Sequence, residues 1–317
     1  MSIKRNPGIP LDLDAIVDIK INRSALERRA KSLGGRRSVK KQWQVAWLLK
    51  AITVIDLTTL AGDDTKGRVR RLCAKATRPV KEEVLKALGA DKLNIHPGAV
   101  CVYHNFVATA VEALAGTGIP VAAVSTGFPA GHTPMATRLA EIRASVKAGA
   151  QEIDIVIERH MVLCEDWQAL YKMIQKCREA CGEAHIKVIL GTGELGTLTN
   201  VAKASMIAMM AGADFIKTST GKESVNATLP VSLVMVRMIR DYQEMTGYKI
   251  GYKPAGGIGD AKTALLYLIL MKEELGDEWL SPELFRIGAS SLLTDIERQL
   301  EHCATGRYAA RHHQPLV

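Results

Sequence analysis

The sequence predicts an α/β protein, a single (β/α)8 barrel (TIM barrel) preceded by a helical extension at the N-terminus. Three observations carry this. From about Ala51 onward, short apolar runs alternate with stretches of helical periodicity, eight pairs over roughly 250 residues. The runs are continuously apolar, as in parallel strands covered on both faces. Two of the helix ends are near copies of each other. An open doubly wound sheet with extra strands is the alternative, but eight units in this length fit a closed barrel better.

Residues 1–45 precede the repeating pattern. The stretch from Leu26 to Trp47 reads as helical pieces broken at Gly34 and Gly35, an extension packed on the barrel and not a second domain. The barrel is expected over 46–305 and a tail over 306–317. The strand candidates are "AITVID" (51–56), "AVCVY" (99–103), "PVAAVS" (120–125), "EIDIVI" (152–157), "IKVIL" (186–190), "DFIKT" (214–218), "KIGYK" (249–253) and "LFRIG" (284–288). Helical stretches such as "MATRLAEIRASVKAGA" and "WQALYKMIQKCREACG" lie between them.

The echo is between "KAGAQEID" (147–154) and "MAGADFIK" (210–217), each placing Ala-Gly-Ala at a helix end, with the glycine as C-cap, before a strand. Asp154 stands five residues past Gly149, and Lys217 five past Gly212. The two side chains therefore have equivalent height and parity on the fourth and sixth strands. Alternate strands supply the side chains of one layer, so both are expected to point into one layer near the C-terminal mouth. Lys253 ends the seventh candidate and Asp56 the first.

Composition excludes several classes. With 47% hydrophobic and 24% charged residues the chain is an ordinary globular protein. No apolar run reaches the roughly 18 residues of a membrane span. The first twenty residues lack an apolar core and carry Asp12, Asp14 and Asp18, unlike a targeting peptide, so a cytoplasmic protein is expected. Six cysteines without a CxxC pair suggest a reduced chain, with Cys177 and Cys181 sharing a helix face. The histidines, including His312 and His313, form no recognisable zinc motif. The net charge of +9 falls to +2 without Arg28, Arg29, Lys31, Arg36, Arg37, Lys40 and Lys41, a segment free of acids. Such a run is a nucleic-acid patch or a solvated basic surface. The absence of interleaved aromatic residues favours the surface.

Two motifs are decoys. "GTGELG" (191–196) matches a dinucleotide fingerprint, but it sits at the fifth unit, and the next strand ends on Lys217 instead of the acid that would hold a ribose. A tight turn with Glu194 free to enter the barrel mouth is the simpler reading. "TGKES" (220–224) resembles part of a phosphate loop but has Ile216 in place of the first glycine and Glu223 in place of the Ser/Thr. "KPAGGIGD" (253–260) is more informative. Gly256 and Gly257 offer unencumbered backbone N–H groups after a strand and before a helix, and "GASS" (288–291) repeats this after the eighth strand. Barrels bind phosphate with the loops after strands seven and eight.

A lysine at the end of a buried strand is costly unless it is used. Burial and a neighbouring cation lower its pKa, which makes the amine a nucleophile. Lys217 and Lys253 end adjacent strands and are expected to approach each other, with Asp154 in register to carry protons.

In order along the chain, "IDLTTL" (55–60), "VCVY" (100–103), "EIDIV" (152–156), "TGEL" (192–195), "GADFIKTSTGK" (212–222), "VNAT" (225–228), "KPAGGI" (253–258) and "IGASSL" (287–292) resemble the deoxyribose-phosphate aldolase family, in its animal branch. The resemblance implies a class I aldolase that cleaves 2-deoxy-D-ribose 5-phosphate to D-glyceraldehyde 3-phosphate and acetaldehyde, with neither metal nor organic cofactor. It implies Lys217 as the Schiff-base residue, with Asp154 and Lys253 as proton donors or acceptors. Asp56, Cys101 and Thr220 would line the pocket. Gly256, Gly257, Gly288, Ser290, Ser291 and Lys222 would hold the phosphate, and a homo-oligomer is compatible with it. The chain departs from the family at Ala61-Gly62, where asparagine is frequent, at His104, where proline is common, and in a tail without a terminal tyrosine.

Overall fold

The computed structural model of the chain describes residues 5–310, 313 and 314. His312 and the last three residues of the tail lie outside them. Eight strands run parallel: β1 (Ile55–Thr58), β2 (Ala99–Tyr103), β3 (Val121–Val124), β4 (Glu152–Val156), β5 (His185–Ile189), β6 (Phe215–Lys217), β7 (Gly251–Lys253) and β8 (Ile287–Ala289). Neighbours pair in chain order, and β8 pairs with β1. The remaining seam is closed by backbone bonds from Tyr252 N–H to the Leu284 carbonyl (2.9 Å), Arg286 N–H to that of Tyr252 (3.0 Å) and Gly288 N–H to that of Pro254 (2.9 Å). The fold is the predicted (β/α)8 barrel.

One boundary differs. Residues 51–53, expected in the first strand, belong to the helix Gln42–Thr53, and the strand begins at Ile55. Leu48, Leu49, Ala51 and Ile52 are the buried face of that helix. A short apolar run bordering a strand carries no periodicity that separates the two.

The echoed helix ends have the same geometry. Gly149 (φ +101°) and Gly212 (φ +96°) both take left-handed backbone. Ala150 N–H reaches back to the Ser145 carbonyl at 3.1 Å, and Ala213 N–H to that of Ala208 at 3.0 Å. Other motif residues have structural work. Thr228 of "VNAT" caps the helix Leu229–Thr246, and Asp260 of "GIGD" caps Ala261–Leu275. Cys177 and Cys181 lie buried and unpaired on one face of the helix Trp167–Cys181.

The N-terminal segment packs on the outer helices. Its helices are Leu13–Asp18 and Arg23–Ser32, followed by a 3-10 turn, Leu33–Gly35. Asn6 anchors it: the buried side chain donates to the Met209 carbonyl (2.7 Å) and the Ala213 carbonyl (2.9 Å), and accepts from the Tyr242 hydroxyl (3.0 Å). Among the described residues, no helix is long and apolar enough to cross a membrane.

Barrel interiors are usually filled by branched aliphatic side chains. Here Asp56, Glu152, Asp154, Lys187, Lys217, Lys253 and Arg286 are all buried instead, and ion pairs join them into one charged cluster.

Candidate active site

The cluster is organised around Asp154 on β4. Its Oδ2 accepts from Lys217 Nζ and from Lys253 Nζ, both at 2.8 Å, while Oδ1 accepts from Lys187 Nζ at 3.0 Å. The two strand-end lysines are in register across β6 and β7, and both converge on one carboxylate oxygen. A second layer supports the first. Lys253 also donates to Asp56 Oδ2. Arg286 bridges Asp56 Oδ1 (2.5 Å) and Glu152 Oε1 (2.8 Å), and Lys187 donates to Glu152 Oε2 (2.5 Å).

The protonation states follow from this connectivity. For Asp154 burial is the largest single influence and opposes ionisation. Lys187, Lys217 and Lys253 together outweigh it and hold the carboxyl well below its usual range. Burial likewise opposes ionisation of Asp56 and Glu152. Lys253, Arg286 and Lys187 overcome it at Asp56, and Arg286 and Lys187 at Glu152. Burial disfavours the charged forms of Lys187, Lys253 and Arg286, yet their carboxylate partners keep all three raised. Lys217 is the exception. Burial lowers its pKa, Asp154 only partly restores it, and the Lys253 ammonium lowers it further. Three carboxylates thus face three firmly held cations. The interior is electrically balanced when Lys217 is a neutral amine, and a proton on Lys217 adds an uncompensated buried charge.

Lys217 is also the member of the cluster that lines a cavity of about 410 Å³ at the C-terminal mouth. Of the sequence-predicted residues, Thr220, Lys222, Gly256, Gly257, Gly288, Ser290 and Ser291 line it too. Asp56 and Cys101 were expected on the pocket wall; like Asp154 and Lys253 they are wholly buried and do not line this cavity. Asp56 is wholly buried among its ion pairs, and Cys101 packs with Leu60, Ala122 and Val124, where burial raises its thiol pKa.

One end of the cavity is suited to an anion. Gly257 has φ +79° and open space where a side chain would stand. The helix Ser291–Thr305 begins there without a side-chain cap, so its first-turn N–H groups are available. Gly288 contributes room, since its N–H is committed to Pro254. A Cβ at Gly288 would stand 3.0 Å from Ala255 Cβ and 3.3 Å from Lys253 Cε.

The loop after β6 is held by a residue that motif reading set aside. The Glu223 carboxylate accepts from Thr220 N–H (3.0 Å), Gly221 N–H (3.1 Å) and the Thr220 hydroxyl (2.7 Å). Arg159 backs it at 3.8 Å. Arg159 also binds Glu194 at 2.7 Å, so Glu194 is engaged in an ion pair and is not free to enter the mouth. Lys187, Arg286, Glu152 and Glu223 were missed from sequence. For the first three the signal was a charged residue inside an otherwise apolar strand run. Among the described residues one trio, His132, Glu158 and His160, has ligand atoms within 4.8 Å of one another. Glu158 is already paired with Arg138 at 2.7 Å, and none of the three lines the cavity.

Comparison with known proteins places these features in context. The DeoC/LacD family aldolase description matches residues 50–296. The chain is 62% identical over 313 residues to the deoxyribose-phosphate aldolase of Homo sapiens, covering 98% of each chain. It is 61% identical over 311 residues to that of Mus musculus, again covering 98% of each. Among solved structures, a deoxyribose phosphate aldolase from Aeropyrum pernix, described as a unique tetramer, superposes with a TM-score of 0.60. That likeness is 19% identical, covers 91% of this chain and 100% of that one, and speaks for the fold alone.

Proposed function

This chain belongs to the DeoC/LacD family of aldolases, and from that premise we propose that it is a deoxyribose-phosphate aldolase working through a Schiff base on Lys217. The reaction is the reversible cleavage of 2-deoxy-D-ribose 5-phosphate to D-glyceraldehyde 3-phosphate and acetaldehyde, a step in deoxyribose phosphate breakdown. The observation that carries the assignment of Lys217 is its position: a buried amine of lowered pKa, opening on the cavity and hydrogen-bonded to Asp154.

The neutral Lys217 amine adds to the aldehyde carbon of the open-chain sugar, and loss of water gives a protonated imine. Deprotonation of the hydroxyl on the third carbon lets the bond between the second and third carbons break. The electron pair moves into the imine and forms an enamine, while glyceraldehyde 3-phosphate leaves. A proton on the enamine carbon and hydrolysis then release acetaldehyde and free Lys217. Asp154 and Lys253, sharing a hydrogen bond at 2.8 Å beside the amine, carry these protons. The Gly257, Ser290 and Ser291 end of the cavity, with Lys222, binds the phosphate and spends that binding energy on orientation. The chemistry needs neither metal nor organic cofactor.

Turnover measured on a panel of phosphorylated sugars tests the substrate. Cleavage of deoxyribose 5-phosphate must exceed that of other pentose and hexose phosphates, and a preference for one of those would assign a different Schiff-base aldolase. Lys222→Ala should raise KM for the sugar phosphate about tenfold, the scale of one charge-assisted hydrogen bond. Its trapping by acetaldehyde and borohydride should be unchanged, because acetaldehyde has no phosphate. Glu223→Ala should release the Thr220–Lys222 loop and lower kcat/KM about tenfold to a hundredfold, with a near-normal melting temperature. An unchanged kcat/KM would mean the loop needs no support from Glu223. We also assign the protein to the cytoplasm and to a homo-oligomer, which a solution mass by light scattering checks.

A further inference from the structure

The basic N-terminal segment was set aside in the sequence for want of aromatic partners. The fold supplies them. Between the helices Gln42–Thr53 and Ala261–Leu275 lies a groove of about 700 Å³, lined by Arg36, Arg37, Trp43, Trp47, Lys50 and Lys272 among others. The two tryptophans are four residues apart and so share one helix face. Trp43 is 65% exposed, which is unusual for the largest apolar side chain. The lysine and arginine side chains are not all spent internally. Arg37 pairs with Glu273 and Lys272 with Asp277, while Arg36 and Lys50 have no acidic ion-pair partner among the described residues. Lys31, Lys40 and Lys41 are exposed beyond the groove, and no acid occurs from residue 28 to residue 55.

We propose that this groove binds single-stranded nucleic acid, with a base stacked on Trp43 and the flanking phosphates held by Arg36, Lys50 and the lysines beyond them. An exposed indole among unpaired cations offers what a single strand needs, a π-face for an unstacked base and counter-charge for its backbone. A duplex keeps its bases inside the stack and makes no use of the indole. A mononucleotide leaves Lys31, Lys40 and Lys41 without phosphates. An acidic peptide satisfies the cations and leaves the indole bare. A second copy of the chain in two-fold contact would bring a basic face against itself. None of the groove residues lines the Lys217 cavity, so the two sites are separable by mutation.

The test is fluorescence anisotropy of the full-length protein with a fluorescein-labelled single-stranded oligouridine, titrated from low to near-physiological salt. Affinity should fall steeply with salt, with a log–log slope of about −3.5, corresponding to roughly five phosphate contacts. Trp43→Ala should weaken binding about tenfold and leave the slope unchanged. The double variant Arg36→Ala, Lys50→Ala should flatten the slope by about 1.4. Aldolase turnover should stay at the wild-type level in all of them, which also confirms that they fold. The proposal is overturned by no binding at low salt, or by binding that ignores Trp43→Ala. Equal affinity for a duplex or for polyglutamate, binding of uridine monophosphate but not of the oligomer, or a Trp43→Ala variant of altered solution mass each overturn it as well.

Discussion

Lys217→Ala should abolish cleavage of deoxyribose 5-phosphate, with a loss of about four orders of magnitude or more, as for removal of other covalent nucleophiles. The reason is chemical. Among the described residues, Lys217 is the member of the charged cluster that lines the cavity, and without the iminium there is no sink for the electrons of the breaking bond. Acetaldehyde and borohydride should place one ethyl group on the Lys217 peptide of the wild type and none on the variant, read by mass spectrometry. The charge argument adds a second expectation. The barrel interior balances without the Lys217 ammonium, since Asp56, Glu152 and Asp154 face Lys187, Lys253 and Arg286. Alanine at 217 should therefore leave the fold intact, and a melting temperature close to wild type is expected. A variant that turns over normally, or an unmodified Lys217 peptide, removes Lys217 from the mechanism.

Lys253→Leu should change both the rate and its pH dependence. Lys253 joins Asp56 to Asp154 and is one of the groups lowering the Lys217 pKa. Because Lys253 is a proposed proton carrier, its loss should cost about 10²- to 10⁴-fold in rate. It also leaves three carboxylates against two firmly held cations, an imbalance that a proton on Lys217 repairs. The sign is then fixed. The amine reacts when neutral, so activity rises with pH through the Lys217 pKa, and this limb should move to higher pH by about one unit or more in the variant. The same profile is read from the pH dependence of borohydride trapping, which needs only imine formation and not carbon–carbon cleavage. A slower enzyme with an unmoved acidic limb would show that Lys253 carries protons without tuning Lys217. Breaking a buried ion pair also costs about 3–5 kcal/mol, so the melting temperature should fall.

Much of this site was legible along the chain. The five-residue spacing from Gly149 to Asp154 and from Gly212 to Lys217 placed both side chains at one height, and the hydrogen bond between them has that geometry. The glycines at 256 and 257 and the serines at 290 and 291 lie on one cavity, as the loops after the seventh and eighth strands suggested. The first strand was drawn too early because a helix end and a strand start are both short apolar runs. The family resemblance alone puts Asp56 on the pocket wall, and a resemblance does not say which neighbour takes the carboxylate. The groove at Trp43 was not legible because its tryptophans follow the basic run instead of interleaving with it, and its far wall, with Lys272, belongs to the helix Ala261–Leu275.

By itself, then, the sequence determined the alternation of strands and helices, the parity that turns Asp154 and Lys217 inward, and the family motifs, because all of these are local or periodic in the chain. Only the tertiary structure decided which lysine has its pKa lowered. That depends on the balance of six buried charges contributed by β1, β4, β5, β7 and the segment leading into β8, which are close together only when the barrel closes. Electrostatic energies in a buried site fall off with distance in space and are blind to separation along the chain.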